Sequence, residues 1–288
     1  MQDDRGSGKS GAEPVFGHYS IRGEIGKEPL GALYLARDPQ SGSSVVIKTL
    51  RLEEEFEPRD QAEVRKSFFR EAEAAARLSH RGIRQLIESG ENDGVAWVVM
   101  EYIEGDPLTR FTADYDRLPV GDCLELIARA AEALNYAHSE GVVHRDIKPA
   151  NLIYDTLRDE LKITDFGFAH ITDSGRTRTG LVLGTPSFKS PEQLADGEVT
   201  YASDLFSLGV TLYQLITGKL PFRAESMVAL MHCIVSLPHI PPSTVRPELT
   251  PGIDAVISCA LHKQPDKRFQ SGIRMAAALR RCAGSLAA

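Results

Sequence analysis

No run in this chain is apolar for long enough to cross a bilayer. The longest candidate, Val95-Ala96-Trp97-Val98-Val99-Met100, falls far short of the ~20 residues a spanning helix needs. Cysteine is sparse: Cys123, Cys233, Cys259 and Cys282 are all there are, and none stands in a C-x-x-C pair. That speaks against a disulfide framework and against paired zinc ligands, and leaves reduced thiols in or near a core. The opening Met1-Gln2-Asp3-Asp4-Arg5 has no apolar stretch behind it, so no signal peptide is expected and a reducing, cytoplasmic compartment is the simplest inference. Basic charge is also short, with 33 Lys and Arg against 40 Asp and Glu and a net charge of -7. That balance argues against a nucleic-acid binder dominated by phosphate contacts. What is present is ordinary for a globular protein: 288 residues, 42% hydrophobic and 25% charged, enough for one large domain or two small ones.

Residues 1–17 are rich in Gly, Ser, Asp and Lys without periodicity, and read as a flexible leader. Gly6-Ser7-Gly8-Lys9-Ser10 resembles part of a phosphate-binding loop, but Asp3 stands where the first glycine belongs and no apolar strand precedes it, so it is a chance match. From Tyr19 the pattern turns to strands: Tyr19–Gly26, Gly31–Asp38 and Ser44–Leu50, then Ile83–Ser89 and Val95–Tyr102 after a charged helix over Asp60–Ser79. Gln40-Ser41-Gly42-Ser43 and Asn92-Asp93-Gly94 read as turns.

Beyond Gly105 the character becomes helical. Cys123, Leu126, Ile127, Ala130, Leu134 and Ala137 recur at helical steps and mark one long amphipathic helix ending near Gly141. Short strands fit Leu152–Tyr154 and Leu161–Thr164. Leu205–Ile216 is apolar almost all round, so that helix should be buried on every side, with Ser203 as its N-cap. Further helices fit Ser226–Ser236, Ile253–Leu261 and Gly272–Cys282. The expected layout is α+β: a small β-rich lobe with one main helix (18–103), a larger helical lobe (104–284) and a short tail (285–288).

The densest chemical signal is His144-Arg145-Asp146-Ile147-Lys148-Pro149-Ala150-Asn151, followed after the expected strand pair by Asp165-Phe166-Gly167. These segments resemble the catalytic and metal-binding loops of protein kinases. The resemblance extends from about Tyr19 to Ala283. Val45-Val46-Ile47-Lys48 is similar to the family's strand-three lysine motif. Gly184-Thr185-Pro186 through Ser190-Pro191-Glu192 is similar to the end of its activation segment. Ser203-Asp204-Leu205-Phe206-Ser207-Leu208-Gly209 and Asp266-Lys267-Arg268-Phe269 match two later motifs. The closest flavour is the bacterial-type serine/threonine kinase, and the implied fold is two-lobed with ATP and Mg²⁺ (or Mn²⁺) between the lobes.

The resemblance implies a role for each matching residue. Phosphoryl transfer needs positioning and charge neutralisation more than covalent help. Asp165 and Asn151 would hold Mg²⁺ with the hard oxygen ligands it prefers. Asp146 would accept the proton of the attacking hydroxyl, with Lys148 beside the transferring phosphoryl group and Thr185 near both. Lys148, where tyrosine kinases carry a different pattern, points to Ser/Thr acceptors. Ile25, Gly26, Gly31, Leu33 and Val46 would enclose the nucleotide. Met100 would be the gatekeeper, and the Glu101 carbonyl and Ile103 N–H would meet the adenine edge. Thr177 and Thr179 resemble autophosphorylated threonines, and Arg145 could pair with such a phosphate. Glu192 and Arg268 would form a structural ion pair. Asp204, opening a buried helix, needs donors, and the backbone N–H groups of the catalytic loop are the candidates. The implied partners are protein substrates and a transient homodimer for trans-autophosphorylation, with no nucleic acid and no membrane segment. The chain could be whole or the cytoplasmic part of a longer protein.

Two further readings combine what the resemblance implies with the residues themselves. Lys48 lies in an otherwise apolar strand, which is costly without partners. A glutamate on the next helix is one such partner, and Glu63, Glu71 and Glu73 compete. At 3.6 residues per turn, Phe68, Glu71, Ala75 and Leu78 share a stripe while Glu73 points away, which selects Glu71. The second concerns the glycine-rich loop, Gly26-Lys27-Glu28-Pro29-Leu30-Gly31. Its middle glycine is replaced by Glu28, which costs clearance and adds negative charge beside the phosphates, while Pro29 removes one N–H donor. Only these two residues favour a pseudokinase, since every charged catalytic position is filled. A small-molecule phosphotransferase of related fold is the other rival, and the Gly184–Glu192 motif, used to dock peptides, argues against it.

Overall fold

The computed structural model describes residues 15–166, 186–195 and 197–286. The first lobe is a five-stranded antiparallel sheet of order β1-β2-β3-β5-β4. Its strands are β1 (Ser20–Glu28), β2 (Gly31–Arg37), β3 (Ser44–Arg51), β4 (Leu86–Asn92) and β5 (Val95–Glu101). Helix α1 (Pro58–Ala76) packs Val64, Phe68, Ala72 and Ala75 towards the core, with Pro58 at its first turn, where a missing N–H costs nothing.

Two sequence expectations for this lobe need correction. Phe16, assigned to the leader, is buried on Tyr34 and Trp97, because an aromatic ring this close to the sheet gains more from burial than its short tether loses in freedom. β4 begins at Leu86 rather than Ile83. The backbone of Gly82 and Arg84 bonds instead to Ile163 of the other lobe, at 2.8 Å in each direction, and so ties the lobes together.

The second lobe is built on α2 (Val120–Ser139) and α3 (Tyr201–Thr217). Every residue of α3 from Ala202 to Thr217 except Gln214 is buried, as its all-round apolar sequence requires. Its N-cap is Thr200, whose hydroxyl accepts the Ala202 N–H. Ser203, expected as the cap, sits three residues in and accepts the Thr200 N–H, completing a capping box, because the helix starts a turn earlier than its apolar run. Helices α4 (Met227–Ser236), α5 (Pro251–Ala260) and α6 (Gly272–Leu286) complete the lobe. A small sheet of β6 (Asp106–Pro107), β7 (Leu152–Asp155) and β8 (Glu160–Ile163) lies at the lobe junction. Among the described residues no helix is long and apolar enough to cross a membrane.

Candidate active site

The segment 144–151 is held from below by α3. Asp204, buried near its start, accepts the backbone N–H of His144 at 2.8 Å and of Arg145 at 2.7 Å. His138 Nε2 lies 2.8 Å from the same carboxylate, a third partner the sequence reading missed. These bonds fix Arg145 in a left-handed conformation (φ 68) that otherwise costs on the order of 1–3 kcal/mol. Gln193 adds a bond to the Arg145 carbonyl at 2.8 Å. His144 is fully buried. Its Nε2 faces the Thr164 carbonyl at 2.7 Å and must donate, so its Nδ1 is free to accept the Asp146 N–H at 3.2 Å. Its ring meets Phe166 edge-on, with centroids 4.5 Å apart, and so joins the two motif segments.

Above this support the charged residues converge. Asp146 Oδ2 accepts from Lys148 Nζ at 2.7 Å and from Asn151 Nδ2 at 3.0 Å. Asn151 Nδ2 also reaches the Asp146 carbonyl at 2.8 Å, so its nitrogen is committed and its oxygen is the atom offered to a cation. The Asn151 carbonyl accepts the Thr164 N–H at 2.9 Å, and the Thr164 hydroxyl lies 3.1 Å from Asp165 Oδ2. Residues from two separate motifs thus form one connected cluster.

Lys48 Nζ is 3.0 Å from Asp165 Oδ1 and 2.9 Å from Glu28 Oε2. Burial alone would favour neutral Lys48, but the charges of Asp165 and Glu28 outweigh it and push its pKa above the ordinary lysine value. Burial likewise works against ionised Asp165. The charges of Lys48 and Arg84 and hydrogen bonds from Lys48 and Thr164 prevail and hold it well below the usual carboxylate range. Arg84 is a residue the sequence reading missed. The signal was available, since it is a cation between Ile83 and Leu86 just as Lys48 is a cation in an apolar strand.

Of the three candidate glutamates, Glu71 is the one shielded from solvent. Its side chain is 15% exposed and its Oε1 lies 3.7 Å from Arg70, whereas Glu63 and Glu73 face solvent. Val46 and Met100 are buried and paired in register, Leu33 pairs with Lys48 itself, and Ile25 is half exposed on β1 beside Gly26. Glu101 ends β5 with its side chain paired to Lys162 at 2.6 Å, and Ile103 follows, partly buried. Arg268 grips Glu192 through two 2.7 Å bonds. Thr177, Thr179 and Thr185 lie outside the described residues.

A family model described as "Protein kinase domain" matches residues 19–279. The chain belongs to that family. It is 38% identical to the serine/threonine-protein kinase PksC of Streptomyces coelicolor over 96% of this chain and 51% of that protein. It is 37% identical to the serine/threonine-protein kinase PknB of Mycolicibacterium smegmatis over 91% of this chain and 43% of that one. The chain therefore spans about half the length, or less, of these curated relatives. The crystal structure of the PknI kinase domain of Mycobacterium tuberculosis superimposes with a TM-score of 0.74 at 31% identity, covering 93% of this chain and 98% of that one. The β-rich first lobe and helical second lobe are those of a kinase domain, a family that uses ATP and a divalent metal ion.

Proposed function

We propose that this domain transfers the γ-phosphate of ATP to serine or threonine hydroxyls of proteins, its own activation segment among them. The observation that carries this reading is the bond set around Asp146: a carboxylate steadied by Lys148 at 2.7 Å and Asn151 at 3.0 Å, and linked through Thr164 to Asp165. Asp146 would orient the acceptor hydroxyl and take its proton as the new P–O bond forms and ADP departs. Lys148 would stay beside the transferring group, countering its charge. Lys48 would bind the nucleotide's phosphates and Glu71 would steady it. Ile25, Gly26, Gly31, Leu33, Val46, Met100, Glu101 and Ile103 would enclose the nucleoside.

The donor set fits Mg²⁺. An amide oxygen on Asn151, whose nitrogen is held by the Asp146 carbonyl, and a carboxylate held ionised on Asp165 are hard ligands. A bound Mg²⁺ would supply charge neutralisation at the phosphates, and Mn²⁺ could take the same ligands. Thr177 and Thr179 are the proposed autophosphorylation sites, reached in trans within a transient homodimer. The shared coverage with longer relatives supports a role as the cytoplasmic part of a longer protein.

Incubation with Mg-ATP followed by phosphosite mass spectrometry tests the proposal. Phosphoserine and phosphothreonine are expected on the domain and on added protein, and both should vanish in Asp146→Asn. Persistent lack of transfer by the parent, with nucleotide bound, would sink it.

A further inference from the structure

The glycine-rich loop was expected to hinder nucleotide through bulk and diffuse repulsion, yet the geometry shows a specific contact. β1 runs on to Glu28, which pairs with Gly31 across the two-residue turn Pro29-Leu30. The turn is anchored. Leu30 is buried, and its carbonyl accepts the Arg51 N–H at 3.0 Å. Gly31 lies so close to β3 that a Cβ there would fall 1.9 Å from the Thr49 carbonyl oxygen, so no other residue fits without moving the strand. Glu28 is therefore presented by a hairpin whose tip is fixed on β3 at Leu30 and Gly31. Its side chain reaches down to Lys48 Nζ at 2.9 Å, and among the described residues Lys48 is the one cation that pairs with it.

We propose that Glu28 is an affinity-setting residue that occupies the phosphate seat on Lys48, so that ATP binds only by displacing its carboxylate. This rests on the reading of Lys48 as a phosphate ligand. A carboxylate presents to an ammonium the same acceptor oxygens as a phosphate, and it is tethered where the phosphate would arrive. Charge works in the same direction. Glu28 adds a second carboxylate to the ammonium that Asp165 already pairs with, so an arriving polyphosphate meets one more negative charge at Lys48. Pro29, with no N–H, leaves the tip with fewer donors to compensate. Glu28 thus lowers affinity for the phosphate part of a nucleotide and leaves the nucleoside part alone.

The two parts can be separated by titrating adenosine, ADP and ATP into the parent, Glu28→Gln and Glu28→Gly with Mg²⁺ present, read by calorimetry. The pair is partly buried, with Glu28 29% exposed, so its loss should tighten ATP and ADP about fivefold in Glu28→Gln. Adenosine affinity should not change. Because Gln keeps the shape and removes only the charge, tightening seen in the Gly variant alone would mean clearance matters and the ion pair does not, which overturns the proposal. Equal gains for adenosine and ATP would overturn it too. Failure of the underlying site reading has its own signature: Lys48→Met would bind ATP as tightly as the parent.

Discussion

Arg268 and Glu192, far apart in sequence, meet in a buried fork of two 2.7 Å bonds. The guanidinium has no exposed side-chain surface. It also donates to the carbonyls of His262, Ala202 and Lys263, and lies 4.9 Å from the centre of the Phe206 ring. A single side chain thus locks the segment before α3 to the segment before α6.

Arg268→Ala should cost about 3–5 kcal/mol of stability, because it strands the Glu192 carboxylate in a site closed to water. Arg268→Lys should recover little, since an ammonium cannot make the forked contact. Urea unfolding at neutral pH measures both, and a loss under 1 kcal/mol for the alanine variant would contradict the structural role.

The same pair sets an acid limit. Burial alone would raise the Glu192 pKa, but the bonds from Arg268 and Ser203 and the Arg268 charge hold it below the ordinary carboxylate value. A carboxyl depressed in the folded state contributes its stability above the unfolded pKa and loses it as pH falls through the folded value; Asp165 acts in the same sense. Stability should therefore be level down to about pH 5 and drop below about pH 4. Denaturation midpoints of parent and Glu192→Gln compared from about pH 5 down to about pH 3 should differ in slope, with the variant starting lower and falling less.

Asp146→Asn should fold, bind ATP and lose transfer by a factor on the order of 10²–10⁴, as expected when a positioned base is removed. Asp165→Ala should in addition weaken ATP binding in the presence of Mg²⁺. A radiolabel assay paired with a nucleotide titration distinguishes the two behaviours, and identical profiles would mean that the roles have been wrongly divided.

Glu71→Ala should reduce activity far more than Glu73→Ala. Both lie on α1, but the Glu71 side chain is only 15% exposed, while Glu73 is in solvent. Melting temperatures should barely move for Glu73→Ala. Comparable losses of turnover from the two would show that helical phase does not decide function here.

Much of the site was legible because its chemistry is local in sequence. Asp146, Lys148 and Asn151 lie within one loop, and a charged residue in an apolar run, such as Lys48, announces a partner without naming it. Periodicity likewise located α2 and α3 and the buried face of α1, since 3.6-residue spacing reports which side meets the core. Tertiary structure decided which carboxylates reach the Lys48 ammonium. Composition suggested only that Glu28 would repel phosphate, whereas the β1–β2 register and the close approach of Gly31 to β3 bring its carboxylate onto Lys48. His138 under Asp204, where two helices of the second lobe pack, and the charge of Arg84 acting on Asp165 belong to the same class, since each joins residues far apart in the chain. The sequence by itself determined the family, the lobes and the catalytic loop, because short motifs carry that chemistry. The fold alone determined how the cleft's charges neutralise one another, because that depends on distances across strands and between lobes that no spacing along the chain encodes.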